Sequence, residues 1–332
     1  MKMKEIAQLA NVSASTVSRV LNNPEVVQKE TRERVLQVIE ELNYKPNLVA
    51  RQFRTKETKI ILVIVPDITS NFFSKVVRGI QQIASCHGYK VILFDTENKI
   101  EKEREYIDLL EQKQADGAVL LTAQLGKKEL DVLSKQFPIV LACEYIDDLP
   151  IPTVSIDNVA SARKMTEHLI QMGHQKIAHI SGRINGVLGR DRLKGFKQAL
   201  LTHQIEVDPS YIQEGDTTLN SGFNQMQKLL ALEVSPTAVF AFNDETALGV
   251  LKAVREHGLS VPEDVAVVGF DDLEISTVVT PPLTTISQSR YEIGKKAAGL
   301  LVDLMANKEI EQKRFIMKDK LVVRSSCGGK SK

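Results

Sequence analysis

Val12-Ser13-Ala14-Ser15-Thr16-Val17-Ser18-Arg19-Val20-Leu21-Asn22 brings a capping hydroxyl, an apolar stripe and a polar outer face together in eleven residues. Ser13 is placed to cap a helix by accepting a backbone N–H. Val17, Val20 and Leu21 recur on one side of that helix. Upstream, Ile6, Leu9 and Ala10 have helical spacing, and Asn11 tolerates the left-handed backbone that a tight turn needs. Downstream, Val35, Val38, Ile39 and Leu42 stand at i, i+3, i+4 and i+7, a third helix. Three short helices, the first two joined by a tight turn, make an all-α helix-turn-helix head over residues 1–45.

A second helix that enters the major groove needs small, polar outward side chains. Ala14, Ser15, Ser18 and Arg19 are expected on that side. Arg19 can bond a guanine edge in two places, worth about 1–3 kcal/mol of discrimination; its plainer role is a surface ion pair. Ser13 and Thr16, with the N–H groups at the helix start, can hold phosphate, and simple capping is compatible with that. Charge points the same way. Residues 1–56 hold ten Lys and Arg against six Asp and Glu, whereas the other 276 hold 33 against 36. A basic head on a slightly acidic body suits contact with phosphate, although a solvated basic face accounts for the charge equally well.

The 332 residues fit two or three domains, and 43% apolar residues suffice for a core without metals or disulfides. Cys86, Cys143 and Cys327 form no CxxC pair, which argues against a zinc site or a disulfide framework. The opening Met1-Lys2-Met3-Lys4-Glu5 has no apolar signal core, and no apolar run approaches a membrane span. The expected setting is the cytoplasm, with no membrane partner.

From Lys59 the pattern alternates strand-like and helical runs. Strands are expected at 60–65, 90–95, 117–121, 139–142, 154–156, 176–180, 237–241 and 265–270, with helices such as 73–87, 159–172, 192–203 and 244–257 between them. This is the βαβ rhythm of parallel sheets, and the set reads best as an α/β body of two similar parallel-sheet lobes, with ligand expected at the carboxyl ends of the strands. Neither GxGxxG nor GxxxxGK[ST] occurs, so nucleotide cofactors of those kinds are not expected. Phe72 or Phe73 can stack on a ring or sugar face, or belong to the core. Asp271 and Asp272 follow a strand, where a carboxylate can accept two hydroxyl bonds or simply sit in a solvated turn. Arg192 can anchor a ligand oxygen or pair with Asp271 or Asp244. Asn243-Asp244 and Asp157-Asn158 are candidate caps. His174 and His179 lack metal-ligand spacing and read as structural.

Lys4-Glu5-Ile6-Ala7, then Val12 through Asn22, then Glu30-Thr31-Arg32-Glu33-Arg34-Val35 resemble the head of the lactose/galactose-repressor family. Met3 and Gln28 stand where that family caps its first and third helices with hydroxyls. The resemblance continues through Val154-Ser155-Ile156-Asp157-Asn158, Gly189-Arg190-Asp191-Arg192, Val268-Gly269-Phe270-Asp271-Asp272 and Pro282-Leu283-Thr284-Thr285-Ile286. It implies a body like the periplasmic binding proteins and a homodimer that represses transcription from a palindromic DNA operator under control of a small polar effector. It places Asn22, Tyr44, Asn47, Ala50, Arg51, Phe53 and Arg54 among the DNA-binding residues, with Phe53 where the family inserts a leucine into the minor groove. It carries effector roles onto Phe72, Phe73, Arg192, Asn243 and Asp271, and Glu144, Leu188 and Thr217 are further candidates for the same site. Leu62 through Ile68, Cys143-Glu144-Tyr145 and Gln288 through Gly294 most resemble members that respond to a nucleoside, with a sugar or sugar phosphate as the alternative. The chain then divides into the head, a hinge at 46–58, one lobe at 59–157 plus 289–319, and a second at 158–288 plus 320–332.

In that family the hinge becomes helical only on operator DNA. Ordering about eight residues costs roughly 8–16 kcal/mol of backbone entropy per chain, so a small change in the spacing of two hinges is expected to shift DNA affinity greatly. A two-lobed solute-binding protein and an enzyme on nucleosides or sugars are the rivals. The missing signal core and the attached head oppose the first. The second lacks a positioned base, metal or phosphate loop, so no catalytic residue and no cofactor are expected. A protein corepressor is left open.

Overall fold

Residues 3–44 and 57–328 are described by the computed structural model, and contacts divide the chain into a head ending at Thr58 and a body beginning at Lys59. The hinge candidates Asn47, Ala50, Arg51, Phe53 and Arg54 lie outside the described residues, as does the side chain of Asn22.

The head has helices α1 (Met3–Leu9), α2 (Ala14–Asn22) and α3 (Lys29–Glu41). Asn11 makes the turn with φ +50°, and Val12 N–H reaches back to the Ala7 carbonyl at 2.9 Å. Ile6, Ala7, Ala10, Val17, Val20 and Val35 form the core. Leu9 corrects the sequence expectation, since it is 64% exposed. At 100° per residue, Ile6, Ala7 and Ala10 fall within one arc of about 100°, and Leu9 lies outside it. Arg34 Nε donates to the Ala10 carbonyl at 3.0 Å, satisfying an acceptor that the end of α1 leaves without a helical partner. Gln28 precedes α3 without a side-chain cap.

The body is built on two parallel sheets. The first runs β11-β5-β4-β3-β1-β2, from β1 (Ile60–Val65), β2 (Lys90–Asp95), β3 (Gly117–Leu120), β4 (Ile139–Ala142), β5 (Thr153–Ser155) and β11 (Arg314–Ile316). The second runs β7-β6-β8-β9, from β6 (Ile177–Ser181), β7 (Ile212–Glu214), β8 (Ala238–Ala241) and β9 (Ala266–Val268). An antiparallel pair, β10 (Thr285–Gln288) with β12 (Asp319–Val322), joins β9 through bridges at Val268–Thr284 and Asp271–Ser287. Helices α4 (Asn71–Cys86), α5 (Ile100–Glu111), α6 (Lys127–Gln136), α7 (Asn158–Gln171), α8 (Val187–Thr202), α9 (Leu219–Leu230), α10 (Asp244–Glu256), α11 (Ile275–Val278) and α12 (Arg290–Met305) cover the sheets. β1 and β8 read as unbroken apolar runs because both faces of a covered parallel strand are buried.

The helix expected from Arg192 begins five residues earlier, at Val187. The strand expected over 265–270 stops at Val268, because the chain turns through Asp271 and Asp272 at φ +109° and +51°. Where α4 crosses α12, a Cβ on Gly294 would lie 2.0 Å from the Val76 carbonyl oxygen, so only glycine allows that approach. His179 is buried with Nδ1 2.9 Å from the Phe240 carbonyl oxygen, and burial holds its pKa down near 4.

Candidate functional site

On the head, Ser13 caps α2 by accepting the Thr16 N–H at 3.1 Å. Its hydroxyl also lies 2.7 Å from that of Ser15 and 2.9 Å from that of Thr16, so three hydroxyls gather at one helix N-terminus, where the dipole favours an anion. Arg19 and Ser15 are exposed and Ser18 is partly exposed. Ala14 and Tyr44 pack partly against the head core, which leaves each only one side for any other contact.

In the body, a cavity of about 580 Å³ opens where strands of both sheets end. All eight side chains singled out for an effector line it: Phe72, Phe73, Glu144, Leu188, Arg192, Thr217, Asn243 and Asp271. Each stands just after a strand or in the first turns of the helix that follows, the position that parallel topology opens to ligands. Phe72 and Phe73 meet edge to face at 5.2 Å. Asn243 also caps α10, accepting the Thr246 N–H at 2.7 Å. Cys143, Thr217 and Asp271 all carry positive φ, at +71°, +74° and +109°; left-handed backbone at non-glycine residues costs energy and gathers at sites the surrounding fold holds in place.

Part of the lining is a charged assembly. Arg192 is 3% exposed. Its Nε donates to Asn158 Oδ1 at 3.1 Å and its Nη1 to the Phe242 carbonyl at 2.5 Å. Its guanidinium carbon lies 3.7 Å from the ring centre of Phe270 and 4.4 Å from that of Phe242. Nη2 reaches Asp271 Oδ1 at 3.7 Å, and Gln288 Nε2 donates to the same oxygen at 2.7 Å. Burial pushes Asp271 up to about 6, against the pull of Arg192 and Gln288, and lowers Arg192 to about 10. Asp244 accepts from Leu273 N–H at 2.7 Å and from the Thr285 hydroxyl at 2.6 Å, which pins the turn that carries Asp271. Elsewhere on the lining, burial raises Glu144 to about 7, helped by Glu103 and Asp191. At the rim, Tyr145 donates to Asp191 at 2.7 Å and Arg190 to Asp147 at 2.7 Å, tying the β4 loop to α8.

Asp271 is 6% exposed rather than part of a solvated turn, and Arg192 both lines the cavity and pairs with Asp271. Asp272 pairs instead with Arg324 at 2.7 Å. The sequence reading did not single out Phe242, Gln124 or Glu245, all on the lining; Phe242 and Glu245 flank Asn243 at the end of β8, and that position was the available signal. Among the described residues, no group of His, Cys, Asp or Glu converges as a metal site, and no helix is long and apolar enough to cross a membrane.

Residues 2–47 match the model for bacterial regulatory proteins of the lacI family, and residues 58–322 match the model for periplasmic binding proteins and the sugar binding domain of the LacI family. The chain belongs to the LacI family. It is 41% identical over 325 residues to the HTH-type transcriptional repressor CytR of Escherichia coli (strain K12), covering 98% of this chain and 95% of that relative. It is 39% identical to catabolite control protein A of Priestia megaterium, with 92% of each covered. A solved LacI-family structure, the lac repressor dimer bound to operator and the anti-inducer ONPF, matches with TM-score 0.90 and 30% identity, covering 98% of this chain and 99% of that one. A transcriptional regulator CelR–cellobiose complex matches with TM-score 0.75 and 32% identity, over 98% of this chain and 99% of that one.

Proposed function

We propose that this LacI-family protein is a transcriptional repressor that grips a palindromic operator as a homodimer, with its grip set by a nucleoside in the cavity. The observation that carries this is the pairing of two aromatic rings, Phe72 and Phe73, with a hydrogen-bonding wall of Arg192, Asn243 and Asp271 in one cavity. A nucleoside offers an aromatic base to the former and ribose hydroxyls to the latter. A cavity of this size suits a molecule of that class. The 41% identity to CytR supports the same choice.

On DNA, Ser13, Thr16 and the N-terminus of α2 hold phosphate, while Ser15, Ser18 and Arg19 read base edges. The second copy covers the sheet edge at β2, where Ile92 and Leu93 are 40% and 36% exposed. Residues 46–58 join the two units and carry the coupling between cavity and operator. The cavity holds its ligand without converting it, and the protein works in the cytoplasm, beside the chromosome.

Mobility-shift titration of the DNA upstream of its own gene, with and without a panel of nucleosides and free sugars, tests this. Expected is salt-dependent binding that a nucleoside shifts by about 1–3 kcal/mol. A response to sugars alone favours the second reading, which the CelR–cellobiose likeness supports. Equal affinity for random and cognate duplexes rejects both.

A further inference from the structure

We infer that the cavity selects the unphosphorylated form of its effector and turns away the phosphorylated form of the same molecule; this holds only if the cavity is the effector site proposed above. Among the described residues, five carboxylates line it, from Asp67, Glu144, Asp216, Glu245 and Asp271, against two guanidiniums, from Arg183 and Arg192, and no lysine or histidine. The acids come from both lobes: Asp67 and Glu144 follow β1 and β4, whereas Asp216, Glu245 and Asp271 follow β7, β8 and β9. A ligand between the lobes is therefore flanked by acidic side chains on two sides.

The better-buried cation is already committed. Arg192 is held by Asn158, the Phe242 carbonyl and Asp271 and packs against two rings. Setting that pair aside leaves four acids and the exposed Arg183 on the lining. Of the four, Glu144 is partly protonated near neutral pH because burial raises it to about 7, and a further cation, Arg290, stands 5.8 Å from the centre of the Phe72 ring. Two of the four are fixed by local donors. Asp67 accepts from the Thr69 N–H and hydroxyl at 2.8 and 2.7 Å, and Asp216 from those of Thr218 at 3.1 and 2.6 Å. Glu144 and Glu245 make no ion pair among the described residues, and Asp67 and Asp271 raise the pKa of Glu245 after burial has done so, as expected where carboxylates share a space.

A phosphate monoester carries nearly two negative charges and needs several donors or cations around it. The start of α8 opens onto the lining at Gly186–Leu188 and with Arg183 is the most favourable place for one, but the surrounding carboxylates outnumber them. Neutral hydroxyls and amino groups, by contrast, are the donors that carboxylates accept.

Calorimetric titration of the full chain compares each common ribonucleoside with its 5′-monophosphate, and ribose with ribose 5-phosphate. In whichever pair binds, the phosphorylated member is expected to be weaker by about tenfold or more. That gap narrows as salt rises from about 0.1 to about 0.5 M, because repulsion is screened and steric exclusion is not. It narrows also in the double variant Asp67→Asn/Asp216→Asn. A phosphorylated ligand that binds as well or better, with Arg183→Ala abolishing the difference, overturns the inference, as does a gap insensitive to both salt and the double variant. If only the sugar pair binds, the nucleoside reading fails while the charge rule is still measured on that pair.

Discussion

Asp271 Oδ1 lies 3.7 Å from Arg192 Nη2 in the wall of the cavity, with both residues less than a tenth exposed. The backbone makes this possible. After β9 the chain enters positive φ at Asp271, whose N–H donates to the Ile286 carbonyl at 2.8 Å, and Gln288 completes the carboxylate's partners. The two charges are thus part of the packing as well as of the cavity lining. Asp271→Ala is expected to weaken effector binding about 10–100-fold, consistent with the loss of charge-assisted hydrogen bonds. It also costs about 3–5 kcal/mol of stability, because Arg192 keeps a buried charge with one partner fewer. Calorimetry and urea unfolding measure the two effects. Unchanged stability would mean that the pair contributes nothing to folding.

Arg19 belongs to the other half of the molecule. Arg19→Ala is expected to weaken binding to the cognate operator by about 1–3 kcal/mol and to leave effector affinity of the body unchanged. The head core lies on the opposite side of α2, so the fold is not at stake. Shift assays on cognate and random duplexes decide the point: an equal loss on both would make Arg19 a phosphate contact rather than a base reader.

Glu144 gives a prediction in pH. Its pKa rises from the ordinary 4.5 to about 7, chiefly because burial disfavours the carboxylate. The folded protein therefore holds a proton that the unfolded chain has already released. The ionisation penalty begins above pH 4.5 and is complete above pH 7. Glu144→Gln, which cannot ionise, should match the parent in acid and become more stable than it as pH rises, by roughly 1–3 kcal/mol on the plateau. Chemical denaturation of both proteins across this range tests the sign. A constant difference would show that the carboxyl does not titrate there.

Gly294 tests the helix crossing that supports the sensor. In Gly294→Ala the new methyl meets the Val76 carbonyl, a backbone atom that cannot rotate away. Overpacking of this kind costs about 1–3 kcal/mol, measured as a lower denaturation midpoint. Gly299→Ala on the same helix, with nothing within 4 Å of the added carbon, should lose no stability and gain about 0.4–1 kcal/mol. Equal effects at the two positions would remove the steric argument.

The amino-acid order by itself determined what depends on near neighbours. Ser13 before Val17, Val20 and Leu21 makes a capped amphipathic helix, and the apolar runs at 60–65 and 139–142 make buried parallel strands, because caps and periodicity act within a few residues. Strand ends were partly legible: Phe72, Arg192 and Asp271 stood out as candidates with alternatives open, Asn243 read as a cap, and the family resemblance was what grouped all four. Only the tertiary structure decided which way Leu9 faces, that Asp272 pairs with Arg324 while Asp271 pairs with Arg192, and that five acids from two lobes share one cavity. Those outcomes depend on burial and on contacts between residues far apart in the chain, and distance through space is what a linear sequence does not encode locally.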